Sequence, residues 1–383
     1  MSKSSLRFLS PTVDALEARM LLTGATGDAP SIGHPSLLSA EASLTLAELH
    51  GLTGVDAAHR AGLDGAGQTV VIIDSGIAYD HPALGGGLGS SYRVVGGWDF
   101  TEENDADPYD DGPAGYHGTH VAGILGSDDP QHLGVAPGVD FVALRVFNDV
   151  GRGKMSWLES SLQWVIDNQA TFEHPITTVN LSIGTDWHDV GLPDYATLED
   201  ELAALQEANI FVSVAAGNRF DAADSEADHP GLSYPAVSPF TFAAASSDGV
   251  GELSPFSQRD ASVLVVPGET ITSTVPDFLE DFNGKTDDFY AASGTSMAAP
   301  YLAGASILAR QALEQASGEP ASLDAIYNVL LETADWVLDP VTGTRFAHLN
   351  VGQAIESALE KQYFQREGSQ LVVQGTSGDD EFH

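Results

Sequence analysis

Ser296 lies in "SGTSMAAPYLAGASILARQ" (293–311), where a small polar elbow runs straight into a long apolar helical pattern. Capping alone does not require Gly294, Thr295 and Ser296 together, because a single hydroxyl satisfies an orphan amide at a helix start. Pro300 limits where the helix can begin, since its ring would collide with the carbonyl four residues back if the helix started upstream of Ser296. Ser296 is therefore expected in the first helical turn, where free amides and the positive dipole end favour a developing negative charge. That setting suits a hydroxyl that attacks a carbonyl and leaves an oxyanion. A serine hydroxyl alone is a weak nucleophile; it needs a base within hydrogen-bond reach, and the base needs an orienting group. Asp74 closes the apolar run "TVVIID" (69–74), and His117 heads "HGTHVAGIL" (117–125). These two fit the remaining roles, and Asn218, at the end of "NIFVSVAAGN" (209–218), adds an amide donor.

Those groups need a scaffold that brings distant segments to one rim. Short apolar runs at 69–74, 139–147, 177–184, 209–218 and 261–268 alternate with helical periodicities at 156–170 and 197–208. Three further helices are expected from Ser296, over 322–334 and over 350–362. Strands alternating with amphipathic helices predict an α/β fold with a doubly wound, mostly parallel sheet flanked by helices. Chemistry in such sheets collects at the carboxyl ends of the strands, where Asp74, Ser182 and Asn218 all fall. The dense block covers 46–361, preceded by a tail (1–45) and followed by a linker and a short distinctive end (362–383).

Composition removes several function classes. Lys and Arg number 15 against 55 Asp and Glu, a formal charge of −40, which repels nucleic acid and anionic lipid. The absence of cysteine excludes disulfides, thiolate metal sites and a cysteine nucleophile. No run of 18 apolar residues is present to span a bilayer. His117 and His120 sit three apart and could be read as a metal pair, but no third ligand of matching kind is near. His120 is read instead as a structural helix residue, and His81 as a packed or hydrogen-bonded one.

The segments "VIIDSGIAYDHPAL", "HGTHVAGILG", "LSIG", "VAAGN" and "SGTSMAAPYLAG", with "HLNVGQAI" late in the chain, resemble the subtilisin-like serine proteases, in that family's Asp, His, Ser order. The resemblance implies a serine endopeptidase with Asp74, His117 and Ser296 as its triad and Asn218 at the oxyanion. It further implies that Gly151 and Gly153 in "DVGRGKMSW" form one substrate edge, and Ser182, Ile183 and Gly184 the facing edge. The P1 pocket would be walled by Ser182–Gly184 on one side and Ala215, Ala216 and Gly217 on the other. Met155, Leu158 and Ile183 would line an apolar P4 pocket. Small and aliphatic walls imply an apolar P1 preference with broad tolerance. Tyr234–Pro235 matches a segment whose bond is cis. The competing reading is a catalytically silent scaffold that presents a calcium-binding or adhesive region.

The acidic run "DFTEENDADPYDDG" (99–112) reads equally as a solvated loop or as calcium ligands from Asp99, Asp105, Asp107 and Asp111. At one common calcium site of the family, Ala83 stands where an aspartate is usual, and the loop 126–138 is short. No cofactor is expected in catalysis. "LEARMLLTG" (16–24) resembles the LEPR-XLL domain of exported bacterial proteins, with Ala18 in place of its proline, and "GTSGDDEFH" (375–383) resembles the start of an RTX-type calcium-binding repeat. Together these ends point to a fragment of a longer, exported, calcium-dependent protein, and a monomer is expected. The roughly 45 residues before the catalytic block are too few for the family's usual folding-assistant prodomain.

Overall fold

The computed structural model describes residues 45–112, 115–220, 231–279, 282–360, 364–367 and 370–373. Both end segments discussed above, 16–24 and 375–383, lie outside the described residues. In chain order the elements are α1 (Leu46–Thr53), α2 (Val55–Arg60), β1 (Thr69–Asp74), a 3-10 turn (Pro82–Leu84), β2 (Val94–Asp99), α3 (His117–Gly126) and β3 (Asp140–Arg145). Next come α4 (Met155–Asn168), β4 (Ile176–Leu181), α5 (Glu199–Glu207), β5 (Phe211–Ala215), β6 (Phe242–Ser247) and β7 (Leu264–Pro267). An antiparallel pair, β8 (Ile271–Val275) and β9 (Asp288–Ala292), precedes the long α6 (Thr295–Ser317). The rest is α7 (Leu323–Glu332), β10 (Asp335–Leu338), β11 (Arg345–His348), α8 (Val351–Glu360) and a hairpin of β12 (Phe364–Glu367) and β13 (Gln370–Val373).

Nine strands form the main sheet in the order β10-β11-β7-β6-β5-β4-β1-β3-β2. Every pairing in it is parallel except β10 with β11. From β1 the chain goes out to the edge strand β2, comes back to place β3 between them, then crosses to lay β4 on the other side of β1. That reversal between β1 and β4 opens the crevice at the strands' carboxyl ends. β1 is buried along its whole length. Val70 and Ile72 join the core formed with α3 and α6, while Val71 and Ile73 join the core formed with α4 and α5. Burial on both faces explains why β1 reads as a continuous apolar run.

The expected α/β architecture is observed, with strands the sequence pattern did not announce. β2 ("VVGGWD") carries two glycines and β6 ("FAAASS") is mostly alanine and serine, so neither has the β-branched signature of its neighbours. α6 also departs from expectation. It begins at Thr295, one residue earlier than predicted, and keeps Pro300 inside it. The helix tolerates this because the proline's missing N–H is replaced: the Ser182 hydroxyl donates to the Ser296 carbonyl at 2.6 Å.

Candidate active site

Asp74 ends β1 with its side chain fully buried, and His117 opens α3, also buried. His117 Nδ1 lies 2.8 Å from Asp74 Oδ1. A proton on Nδ1, shared with this carboxylate, leaves Nε2 as the ring's basic nitrogen. The start of α3 is tied down around this pair. The Gly118 N–H donates to Ser75 Oγ at 2.9 Å, and Thr119 donates to Asp110 Oδ2 from its N–H at 3.0 Å and its hydroxyl at 2.5 Å. A Cβ at Gly118 would sit 2.1 Å from the Gly76 carbonyl oxygen, so only glycine lets helix and strand end approach this closely. Burial raises the Asp110 carboxyl to about 6.

Ser296 is the second residue of α6, which packs against α3. Its side chain is nearly buried, and its Oγ donates to the Ser182 carbonyl at 3.3 Å. Asn218, three residues past β5, accepts from the Thr295 N–H and from the Thr295 hydroxyl, both at 2.8 Å. With Oδ1 so occupied, Asn218 keeps its amide N–H groups for another acceptor. The arrangement presents an acid-oriented imidazole, a hydroxyl at a helix start and an amide donor beside it, which are the parts needed for acyl transfer.

The residues expected to bind substrate are placed as follows. Gly151 adopts φ +71° in a turn closed by its N–H to Asn148 O at 2.7 Å, and Gly153 bridges antiparallel to Phe147. Ser182 and Ile183 are buried just past β4, with Gly184 beside them, and Ala215 ends β5 with Ala216 and Gly217 just beyond it. Leu158 and Ile183 are buried in one apolar cluster, and Met155 packs against it half-buried. Two residues packed against these glycines escaped the sequence reading. A Cβ on Gly184 would meet Ser233 Oγ at 2.7 Å, and one on Gly217 would meet Gln258 Cγ at 2.9 Å and Ser233 Cβ at 3.1 Å. The only signal for Ser233 was its place before Tyr234–Pro235, which is cis as expected. Gln258 gave none.

The described residues do not show the expected calcium site. Asp99 and Asp111 do not converge on an empty cation site; they flank the buried guanidinium of Arg145, at 3.5 and 2.7 Å, with Asp149 at 2.5 Å. Asp105 accepts the Asp107 N–H at 2.9 Å, and Asp107 accepts the Tyr79 hydroxyl at 2.9 Å. Among the described residues no group of three or more His, Cys, Asp or Glu is arranged to hold a metal ion. The acids were legible along the chain, whereas the arginine that neutralises two of them arrives from the end of β3. His120 is buried and bonds through Nε2 to the Tyr290 and Ile271 carbonyls at 2.9 and 3.1 Å. Burial lowers its pKa to about 4, as befits a structural residue. His81 is likewise buried, its Nδ1 accepting the Ala83 N–H at 3.2 Å.

The family model for the subtilases matches residues 65–367. The chain belongs to the subtilase family. This subtilase is 33% identical over 250 residues to an intracellular serine protease of Paenibacillus polymyxa, covering 64% of this chain and 68% of that one. It is 32% identical over 255 residues to subtilisin E of Bacillus subtilis (strain 168), covering 66% of this chain but only 58% of the relative. A cold-adapted subtilisin-like serine proteinase of known structure matches with TM-score 0.58 and 28% identity over 76% of this chain and 90% of that one. Serine endopeptidase function follows from this membership, and the silent-scaffold reading is not favoured by it.

Proposed function

We propose that this subtilase cleaves polypeptides through an acyl-enzyme on Ser296. Ser296 Oγ attacks the scissile carbonyl carbon while His117 Nε2 takes its proton, and Asp74 stabilises the imidazolium that results. The tetrahedral oxyanion is met by Asn218 Nδ2 and by the Ser296 N–H at the head of α6. Collapse breaks the C–N bond, the proton on His117 leaves with the amine, and water repeats the sequence on the ester. The observation that carries this reading is the buried 2.8 Å contact between Asp74 and His117, beside the helix α6 whose second residue is Ser296. A fluorophosphonate probe is expected to label the protein but not its Ser296→Ala variant. Equal labelling of the two would sink the assignment.

Substrate is read as an extended strand between Gly151–Gly153 and Ser182–Gly184, bonded main chain to main chain. Its P1 side chain would enter between Ala215–Gly217 and Ser182–Gly184, and its P4 side chain would lie on Met155, Leu158 and Ile183. These walls favour apolar P1 residues. Peptides released from a mixed protein substrate, identified by mass spectrometry, are expected to end mainly in apolar residues; release confined to Lys and Arg ends would refute the pocket reading. Export is supported by the resemblance of residues 16–24 to a segment of exported proteins, and the exported enzyme is read as a monomer. It is checked by recovery of activity from medium at the mass of one chain.

A further inference from the structure

We propose that the Ser182 side chain, oriented by Asn180, positions the nucleophile by holding the Ser296 carbonyl in place of the helix hydrogen bond that Pro300 cannot make. The inference rests on the reading of Ser296 as the attacking residue. In a regular helix the Ser296 carbonyl would accept from the N–H of residue 300, and proline has none. That carbonyl lies where Ser296 and Pro300 are both buried, so without a donor it would be a costly orphan acceptor. Ser182 Oγ fills the vacancy at 2.6 Å. The direction of this bond is set from behind. Asn180 is fully buried near the end of β4, and its Nδ2 donates to Ser182 Oγ at 3.0 Å. A hydroxyl that accepts from an amide has its own proton free to give forward, so the chain runs from Asn180 through Ser182 to Ser296.

The contact is reciprocal, since Ser296 Oγ donates to the Ser182 carbonyl at 3.3 Å. Each residue thus holds the other's main chain, and the nucleophile is referenced to β4 rather than to the distant turns of α6. Ser182 also begins the edge read above as a substrate edge. Nucleophile and substrate strand are therefore placed by one residue, with the side chain acting on Ser296 and the main chain facing the peptide. Ser182 is a positioning residue in this scheme, because its hydroxyl touches Ser296 and not the reacting bond.

The test is a double-mutant cycle on fluorophosphonate-titrated enzyme. Ser182→Ala keeps the substrate-edge backbone, so kcat per titrated site is expected to fall about 10- to 100-fold with KM within about twofold. Pro300→Ala restores the N–H four residues on. In the Ser182→Ala background it is expected to recover part of the lost kcat, although in the wild-type background it brings no gain. A role in packing alone would lower the folded fraction and leave kcat per site intact. Wild-type kcat per site in Ser182→Ala, or no recovery in the double variant, would overturn the proposal. If Ser182→Ala does not accumulate, Asn180→Asp is measured in the same way, because a carboxylate cannot donate to Ser182 Oγ and draws its proton away; unchanged kcat there is equally fatal. A wild-type protein that takes no probe would defeat the Ser296 assignment itself, which separates the two failures.

Discussion

Asp74 Oδ1 and His117 Nδ1 stand 2.8 Å apart in a site where both side chains are closed to solvent. The pair joins the last residue of a central strand to the first residue of a helix, 43 positions later. Asp74 Oδ1 also accepts the Ser75 N–H at 2.7 Å, so the carboxylate has a fixed orientation before any substrate arrives. Asp74→Asn keeps this shape but offers the ring a donor, which favours the wrong tautomer. It is expected to cut kcat by about 10⁴-fold with little change in KM or melting temperature. A loss of only a few-fold, measured by steady-state kinetics on a peptide substrate, would count against the role given to Asp74.

Asn218 both caps the start of α6 through Oδ1 and is assigned the oxyanion through Nδ2. Asn218→Asp separates these duties, since the carboxylate still accepts from Thr295 but has no hydrogen to give. It is expected to lower kcat by about 100- to 1,000-fold while leaving thermal stability near that of the parent. Parent-like kcat in a stable Asn218→Asp protein would instead mark Asn218 as a cap alone.

Arg145 is only 2% exposed and faces Asp99, whose side chain is fully buried. Replacing the arginine by methionine leaves that carboxylate without its cation. Urea unfolding is expected to show a loss of about 3–5 kcal/mol, and Asp99→Asn in the same background to return part of it. An Arg145→Met protein as stable as the parent would mean that the cluster contributes nothing.

Acid sensitivity follows from buried imidazoles. Burial lowers His50 to about 3 and His120 to about 4, both from 6.5. Between those values and 6.5 the unfolded chain binds more protons than the folded one, so their contribution is complete above 6.5 and is lost as pH falls. Asp110, raised by burial from 3.8 to about 6, acts in the opposite sense, because its folded state holds the proton across that interval. Two histidines outweigh one carboxyl, and stability is expected to decline from pH 6.5 to 4.5. His120→Gln, which can still donate to the Tyr290 carbonyl, should flatten the slope by roughly 1.4 kcal/mol per pH unit. An unchanged slope in unfolding series at pH 4.5, 5.5 and 6.5 would contradict it.

Much of the site could be read along the chain because each part sits at the end of a strongly patterned segment. "TVVIID" is buried on both faces and so advertises its own end at Asp74, and "HGTHVAGIL" does the same for the start of a helix at His117. Segments without such patterning were missed. β6 owes its strand state to β5 and β7 on either side and the edge strand β2 to β3 alone, while the close approach of Ser233 and Gln258 to Gly184 and Gly217 is encoded by no local pattern.

Local preference decided the strongly patterned strands, the helices and the residue types able to do the chemistry, since hydrophobic periodicity and side-chain reactivity are properties of short stretches. Tertiary structure alone decided the partners. It gave the acids of the 99–112 run a guanidinium from β3, and it closed the gap left by Pro300 with a hydroxyl from beyond β4. The reason is physical: a buried charge or carbonyl must be satisfied by whatever donor the fold brings within about 3 Å, and sequence separation has no bearing on that distance.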